Sequence, residues 1–148
     1  MTVTTTKALY TARARVTGGR ANGRGRTDDG VLDVDLRFPR ELGGEGGGAN
    51  PEQLFAIGYA ACFATVLEML GKRRRVDVGE PVIDAQVMLI PKGGGAFKLG
   101  VALDVSLPGV PDRQQAAELV RAAHENCPYS SATRGNVDVA LAVNGVAL

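Results

Sequence analysis

Cys62 and Cys127 are the only thiols in this chain and His124 its only imidazole. A thiolate is a nucleophile and the first rung of a redox ladder, so the two cysteines are where covalent or redox chemistry would reside. Cys62 lies within Gly58-Tyr59-Ala60-Ala61-Cys62-Phe63, inside an almost wholly apolar run. Free cysteine packs well as a small hydrophobe, and apolar surroundings raise a thiol's pKa. A redox role for Cys62 therefore requires an Arg or Lys brought from elsewhere. Cys127 ends a segment that reads as a helix, where the negative end of the helix dipole disfavours a thiolate. It is expected to be the less acidic thiol, one suited to attack only after another sulfur has become an electrophilic sulfenic acid. One histidine rules out a site built from several His and Cys ligands. A mixed set of His124, Cys127 and carboxylates has no recognisable ligand spacing, so no metal is expected.

The elements that must carry these residues follow from periodicity and turn chemistry. Leu9 to Thr17 reads as a strand, followed by a glycine-rich turn from Gly18 to Gly25. Leu32, Val34, Leu36 and Phe38 alternate with Asp33, Asp35 and Arg37, which predicts a strand with one face toward water. Gly43 to Gly48 reads as a flexible loop. Asn50-Pro51-Glu52 predicts a helix start, with Asn as N-cap, Pro at the first position and an acid in the first turn. From there to Leu70 the chain is apolar nearly all round, which predicts a helix buried on most sides and closed by the solvated run Lys72 to Arg75. Strands are expected from Val82 to Ile90 and from Phe97 to Leu107, with a hairpin loop over Lys92 to Ala96. Asp112 is placed to cap a second helix that runs toward Cys127 and is stopped by Pro128. A last strand takes in Val137, Val139, Leu141 and Val143. Strand pairs separated by lone helices predict an α+β fold with mostly antiparallel sheets, and residues 1–148 read as a single domain.

Composition narrows the function classes. The chain has 148 residues, 45% hydrophobic and 22% charged, with a formal net charge of +1, which favours neither a nucleic-acid nor a membrane-surface partner. No apolar stretch is expected to reach the roughly 18 residues that span a bilayer. The N-terminus lacks the apolar core of a signal peptide, so the expected compartment is the cytoplasm.

Four ordered segments then carry a resemblance. Thr17-Gly18-Gly19-Arg20, Asn50-Pro51-Glu52-Gln53-Leu54-Phe55, Gly58 to Phe63, and Cys127-Pro128-Tyr129-Ser130-Ser131-Ala132-Thr133-Arg134-Gly135-Asn136 resemble the organic hydroperoxide resistance (Ohr) branch of the OsmC/Ohr family. The resemblance runs from about Tyr10 to the last strand. It implies an OsmC/Ohr-like fold, with sheets wrapped around central helices in an intertwined homodimer. The activity implied is a thiol peroxidase acting on alkyl and fatty-acid hydroperoxides, with Cys62 peroxidatic and Cys127 resolving through a Cys62–Cys127 disulfide. Arg20 takes the position of the activating arginine, and Glu52 that of the acid holding it. No bound cofactor is implied; the reductant is a dihydrolipoyl dithiol on a lipoylated protein.

Arg20 would supply a permanent cation for the Cys62 thiolate, its plane fixed by hydrogen bonds to Glu52. Ten residues separate Glu52 from Cys62, about 15 Å along a continuous helix. Either the helix breaks between them, or the Arg20–Glu52 pair serves Cys62 of a second subunit, which is the reading adopted here. Phe63 and Tyr129 are candidate walls for an alkyl chain. The competing readings are an OsmC-type peroxidase with another peroxide preference, a non-catalytic thiol redox sensor and, last, a nucleic-acid binder built on Arg20, Arg24 and Arg26.

Overall fold

A computed structural model describes residues 7–148. The backbone divides into two compact units, one ending at Pro51 and the other Glu52–Leu148.

The first unit is an antiparallel meander, β1 (Ala14–Thr17), β2 (Asn22–Thr27) and β3 (Asp33–Arg37), in the order β1-β2-β3. The turn predicted over Gly18 to Gly25 is therefore shorter than expected, because Asn22 onward pairs with both neighbours. Glycine hides this strand from a periodicity reading. A Cβ at Gly25 would sit 3.6 Å from Val16 and 3.8 Å from Leu36 and Val34, so neighbouring side chains close over the empty positions. The first strand is also shorter than predicted, starting at Ala14. The alternation in β3 holds, with Leu36 buried and Asp33 and Asp35 exposed. Gly18 and Gly19 take φ of +72° and +65°, in the left-handed region that glycine enters at least cost. They set Arg20 at the tip of the β1–β2 hairpin.

The second unit is built on α1 (Pro51–Arg74), which starts at the predicted proline and runs 24 residues without a break. It is followed by the hairpin β4 (Val82–Gly93) and β5 (Ala96–Ser106), then α2 (Arg113–Asn126), α3 (Pro128–Thr133), β6 (Asp138–Val143) and β7 (Val146–Ala147). Their sheet has the order β4-β5-β6-β7; β5 and β6 are parallel, the other pairs antiparallel. A parallel pair needs a long crossover, which α2 and α3 supply. Asp112 caps α2 as predicted, accepting the Gln115 N–H at 2.7 Å. The short β7 strand was not predicted, although Asn144-Gly145, with φ of +49° and +76°, is a characteristic tight hairpin sequence.

Tyr59, Phe63, Leu67 and Leu70 form one stripe of α1 and pack with Val101, Leu103 and Val105 of β5, Leu119, Val120 and Ala123 of α2, and Val143 of β6. The remaining circumference of α1 does not follow expectation. Ile57 is 69% exposed and Met69 57%, with Leu54 and Ala61 exposed on the same side. Contrary to the expectation that no stretch could span a bilayer, α1 is long and apolar enough by length and composition. Thr65 and Glu68 interrupt the apolar run but not the helix. Its buried stripe nevertheless belongs to a core shared with the sheet and α2.

Candidate active site

The two cysteines meet within the second unit. Cys62, half-buried in the middle of α1, lies 3.6 Å from Cys127, whose side chain is fully buried. Both are free thiols. A disulfide bond measures about 2.05 Å, so closing one here calls for about 1.5 Å of approach. Of the two sulfurs, Cys62 is the more exposed.

Burial pushes the Cys62 thiol above its ordinary range, and the adjoining Cys127 thiol adds to the effect. The backbone N–H of Tyr129 acts in the opposite direction and favours the thiolate. This donor was missed by sequence reasoning because it belongs to α3, a six-residue helix that the sequence reading treated as a stop. Pro128 does end α2, but it also occupies the first position of α3, where its missing N–H costs nothing. Cys127 is thus both the C-cap of α2 and the N-cap of α3. The dipole argument made for Cys127 accordingly covered half of its surroundings: the negative end of α2 meets the positive end of α3 at this residue.

Three aromatic rings lie beside the dithiol. Phe55, Tyr59 and Tyr129 pack with centroids 5.6–6.0 Å apart. Tyr129 reaches across α1 at Gly58, one turn before Cys62. A Cβ there would stand 2.7 Å from its hydroxyl oxygen, so glycine is what admits the ring. Tyr129 remains 37% exposed. Phe63, the other proposed wall, is fully buried in the core and cannot face an entering chain. That expectation failed because a helix apolar all round does not reveal which of its sides is inward.

Glu52 occupies the first turn of α1. Since the helix is unbroken, Glu52 stands about 15 Å along the axis from Cys62 of its own chain. Arg20 belongs to the first unit, with its guanidinium carbon 6.0 Å from the Phe38 ring centroid. In β2, Arg24 is held by Asp33 through two hydrogen bonds of 2.7 and 2.8 Å, with Arg26 3.9 Å from the same carboxylate. Among the described residues no three His, Cys, Asp or Glu side chains gather as a metal site.

A half-buried thiol thus lies 3.6 Å from a fully buried one within a single core. The family profile described as OsmC-like protein matches residues 44–142, and the chain belongs to the OsmC/Ohr family. It is 50% identical over 135 residues to the organic hydroperoxide resistance protein OhrB of Bacillus subtilis, covering 90% of this chain and 97% of that one. The organic hydroperoxide resistance protein of Xanthomonas axonopodis pv. citri is 49% identical over 91% of this chain and 94% of its own. Among solved structures, an organic hydroperoxide resistance protein of Legionella pneumophila superimposes with a TM-score of 0.88 at 50% identity, covering 93% of this chain and 98% of that one.

Proposed function

We propose that this protein acts in organic hydroperoxide resistance as a thiol peroxidase, reducing alkyl and fatty-acid hydroperoxides to alcohols in the cytoplasm. The observation that carries the reading is the 3.6 Å pairing of a half-buried Cys62 with a fully buried Cys127. The names of its relatives support the substrate class. In the first step the Cys62 thiolate attacks the terminal peroxide oxygen, the O–O bond breaks, and the departing alkoxide takes up the proton released by the thiol and leaves as an alcohol. Cys62 becomes a sulfenic acid. The Cys127 thiol then displaces its hydroxyl as water, forming the Cys62–Cys127 disulfide. A dihydrolipoyl dithiol, carried by a lipoylated protein, exchanges with that disulfide and departs as the cyclic lipoyl disulfide.

The upward push on the Cys62 pKa means that the Tyr129 N–H alone does not activate it, and a fixed cation is required. Arg20, steadied by Glu52, is assigned that role. The unbroken α1 removes one of the two ways of bringing Glu52 near Cys62. We therefore assign the Arg20–Glu52 pair to the Cys62 of a partner subunit in a homodimer. The exposed apolar side of α1 supports a partner of this kind.

The test is consumption of cumene hydroperoxide with dihydrolipoamide against a monothiol reductant of equal reducing capacity. Turnover is expected with the dithiol and little with the monothiol. A single oxidation without turnover in either case would instead mark a redox sensor, and preference for hydrogen peroxide would mark an OsmC-type specificity. A mixed dimer of Arg20→Ala and Cys62→Ser subunits checks the shared site. Its one intact Cys62 faces an intact Arg20 only if the two act across the dimer, so activity is expected in the mixed dimer and its loss would place the pair within one chain.

A further inference from the structure

A buried polar cluster underlies the dithiol and is not used by the chemistry above. Ser130, fully buried in α3, places its Oγ 2.8 Å from the Tyr59 hydroxyl and 2.9 Å from His124 Nδ1. The Tyr59 hydroxyl also lies 3.2 Å from Thr133 Oγ1, and Thr133 Oγ1 donates to the Ser130 carbonyl at 3.2 Å. The positions of these residues are informative. Tyr59 stands three residues before Cys62 on α1, His124 three before Cys127 on α2, and Ser130 three after Cys127 on α3. A single hydroxyl is thus tied to every helix that carries a sulfur or the Tyr129 N–H, one turn away in each case.

Counting protons fixes how the cluster is wired. Four contacts share four donors: the Tyr59, Ser130 and Thr133 hydroxyls and one imidazole N–H. Thr133 uses its proton on the Ser130 carbonyl, so it accepts from Tyr59. Tyr59 has then spent its proton and accepts from Ser130. Ser130 in turn accepts from His124, which must carry its proton on Nδ1. A buried hydroxyl with all its partners holds its neighbours in one arrangement, because losing any partner leaves a desolvated polar group. No buried side-chain nitrogen or oxygen among the described residues is without a partner.

We propose that Ser130 is a positioning residue that keeps Cys127 against Cys62, and so determines whether the Cys62 sulfenic acid closes to the disulfide or is oxidised further. The inference rests on the peroxidase reading above. Two fates compete for the sulfenic acid. Attack by the Cys127 thiol gives the disulfide and water; attack on a second hydroperoxide molecule gives a sulfinic acid and a second alcohol, and removes the enzyme from the cycle. The first is intramolecular and depends on the 3.6 Å sulfur separation. The second depends on the hydroperoxide concentration. Loosening α3 slows only the first.

The experiment compares wild type, Ser130→Ala, Tyr59→Phe and Cys127→Ser, each reduced and then exposed to increasing cumene hydroperoxide. Intact-mass spectrometry reads disulfide and sulfinic acid. Ser130→Ala is expected to form the first oxidation product at the wild-type rate. Its hydroperoxide concentration for half inactivation should fall about five- to tenfold, the factor carried by one lost buried hydrogen bond. Tyr59→Phe removes one hydroxyl with almost no change of shape and should shift in the same direction, keeping the question open to test should the alanine variant fold poorly. Cys127→Ser marks the limit with no disulfide. Nitrogen chemical shifts of the single histidine should show Nδ1–H in the wild type and lose that preference in Ser130→Ala. An unchanged disulfide-to-sulfinic ratio in both folded variants would overturn the proposal. Failure of wild-type Cys62 to be oxidised at all would instead overturn the peroxidase reading, so the two failures are distinguishable.

Discussion

The two longest helices among the described residues share one core and each leads to one sulfur of the pair, yet their surfaces differ. In α2, Ala116, Leu119, Val120 and Ala123 face inward, while Gln114, Glu118, Arg121 and Glu125 face solvent. What it hides and what it shows agree with its pattern. In α1 the inward stripe is just as well buried, but Leu54, Ile57 and Met69 remain in the open. A helix whose apolar surface exceeds what its own chain covers is shaped for a further surface. The contrast separates a helix finished within one chain from one that is complete only in the proposed dimer.

The sharpest way to break this comparison is to delete each helix's sulfur in turn. Cys62→Ser is expected to lower hydroperoxide turnover about a thousandfold or more, since the nucleophile itself is gone. Cys127→Ser should leave the first oxidation intact and stop the cycle afterwards, visible as a persistent dimedone-reactive sulfenic acid. Equal loss of the first oxidation in both variants would remove the assigned order.

Charge placed on the exposed sides tests the surfaces. Ile57→Glu on α1 is expected to weaken self-association by about 2 kcal/mol or more, as a charge does at the centre of an interface. Arg121→Glu on α2 should change it little. Sedimentation equilibrium at matched concentrations reads both, and identical behaviour would mean that α1 has no special surface.

Gly58→Ala should be milder. Alanine favours the helix by about 1 kcal/mol, but its Cβ would stand 2.7 Å from the Tyr129 hydroxyl and push α3 away. The expected result is near-normal stability with slower disulfide closure, partly restored by adding Tyr129→Phe. Stopped-flow closure rates with thermal melts check it.

The smallest effects are in pH, with opposite signs on the two helices. Burial, together with the neighbouring Arg134, lowers the His124 pKa in α2. The unfolded chain then takes up a proton more readily, so stability is full above about pH 6.5 and declines as pH falls below it. Burial alone raises Cys62 in α1, so without the partner's cation its contribution is full below about pH 8.5 and declines as pH rises. His124→Gln should flatten only the acid limb of a denaturation-midpoint profile, and Cys62→Ala only the alkaline limb.

Much of this was legible in the chain. Pro51, at the first position of α1, and Asp112, whose side chain caps α2, mark the helix starts, and this is decided within a few residues. The alternation in β3 and β5 marks their faces for the same local reason. β2 was hidden because Gly23 and Gly25 have no side chains to alternate. The α3 turn was hidden because proline is read as an end before it is read as a beginning.

The sequence alone determined most of the elements, the family and the two thiols, since composition, caps and ordered motifs are properties of neighbours along the chain. The tertiary structure decided which side of α1 faces inward, that Gly58 leaves room for the Tyr129 ring, and how Tyr59, His124 and Ser130 meet around one buried hydroxyl. Residues 71 positions apart become partners only when desolvation makes an unpaired hydroxyl costly and packing leaves one place for it. The 3.6 Å between the sulfurs is set in the same way, by three helices sharing a core.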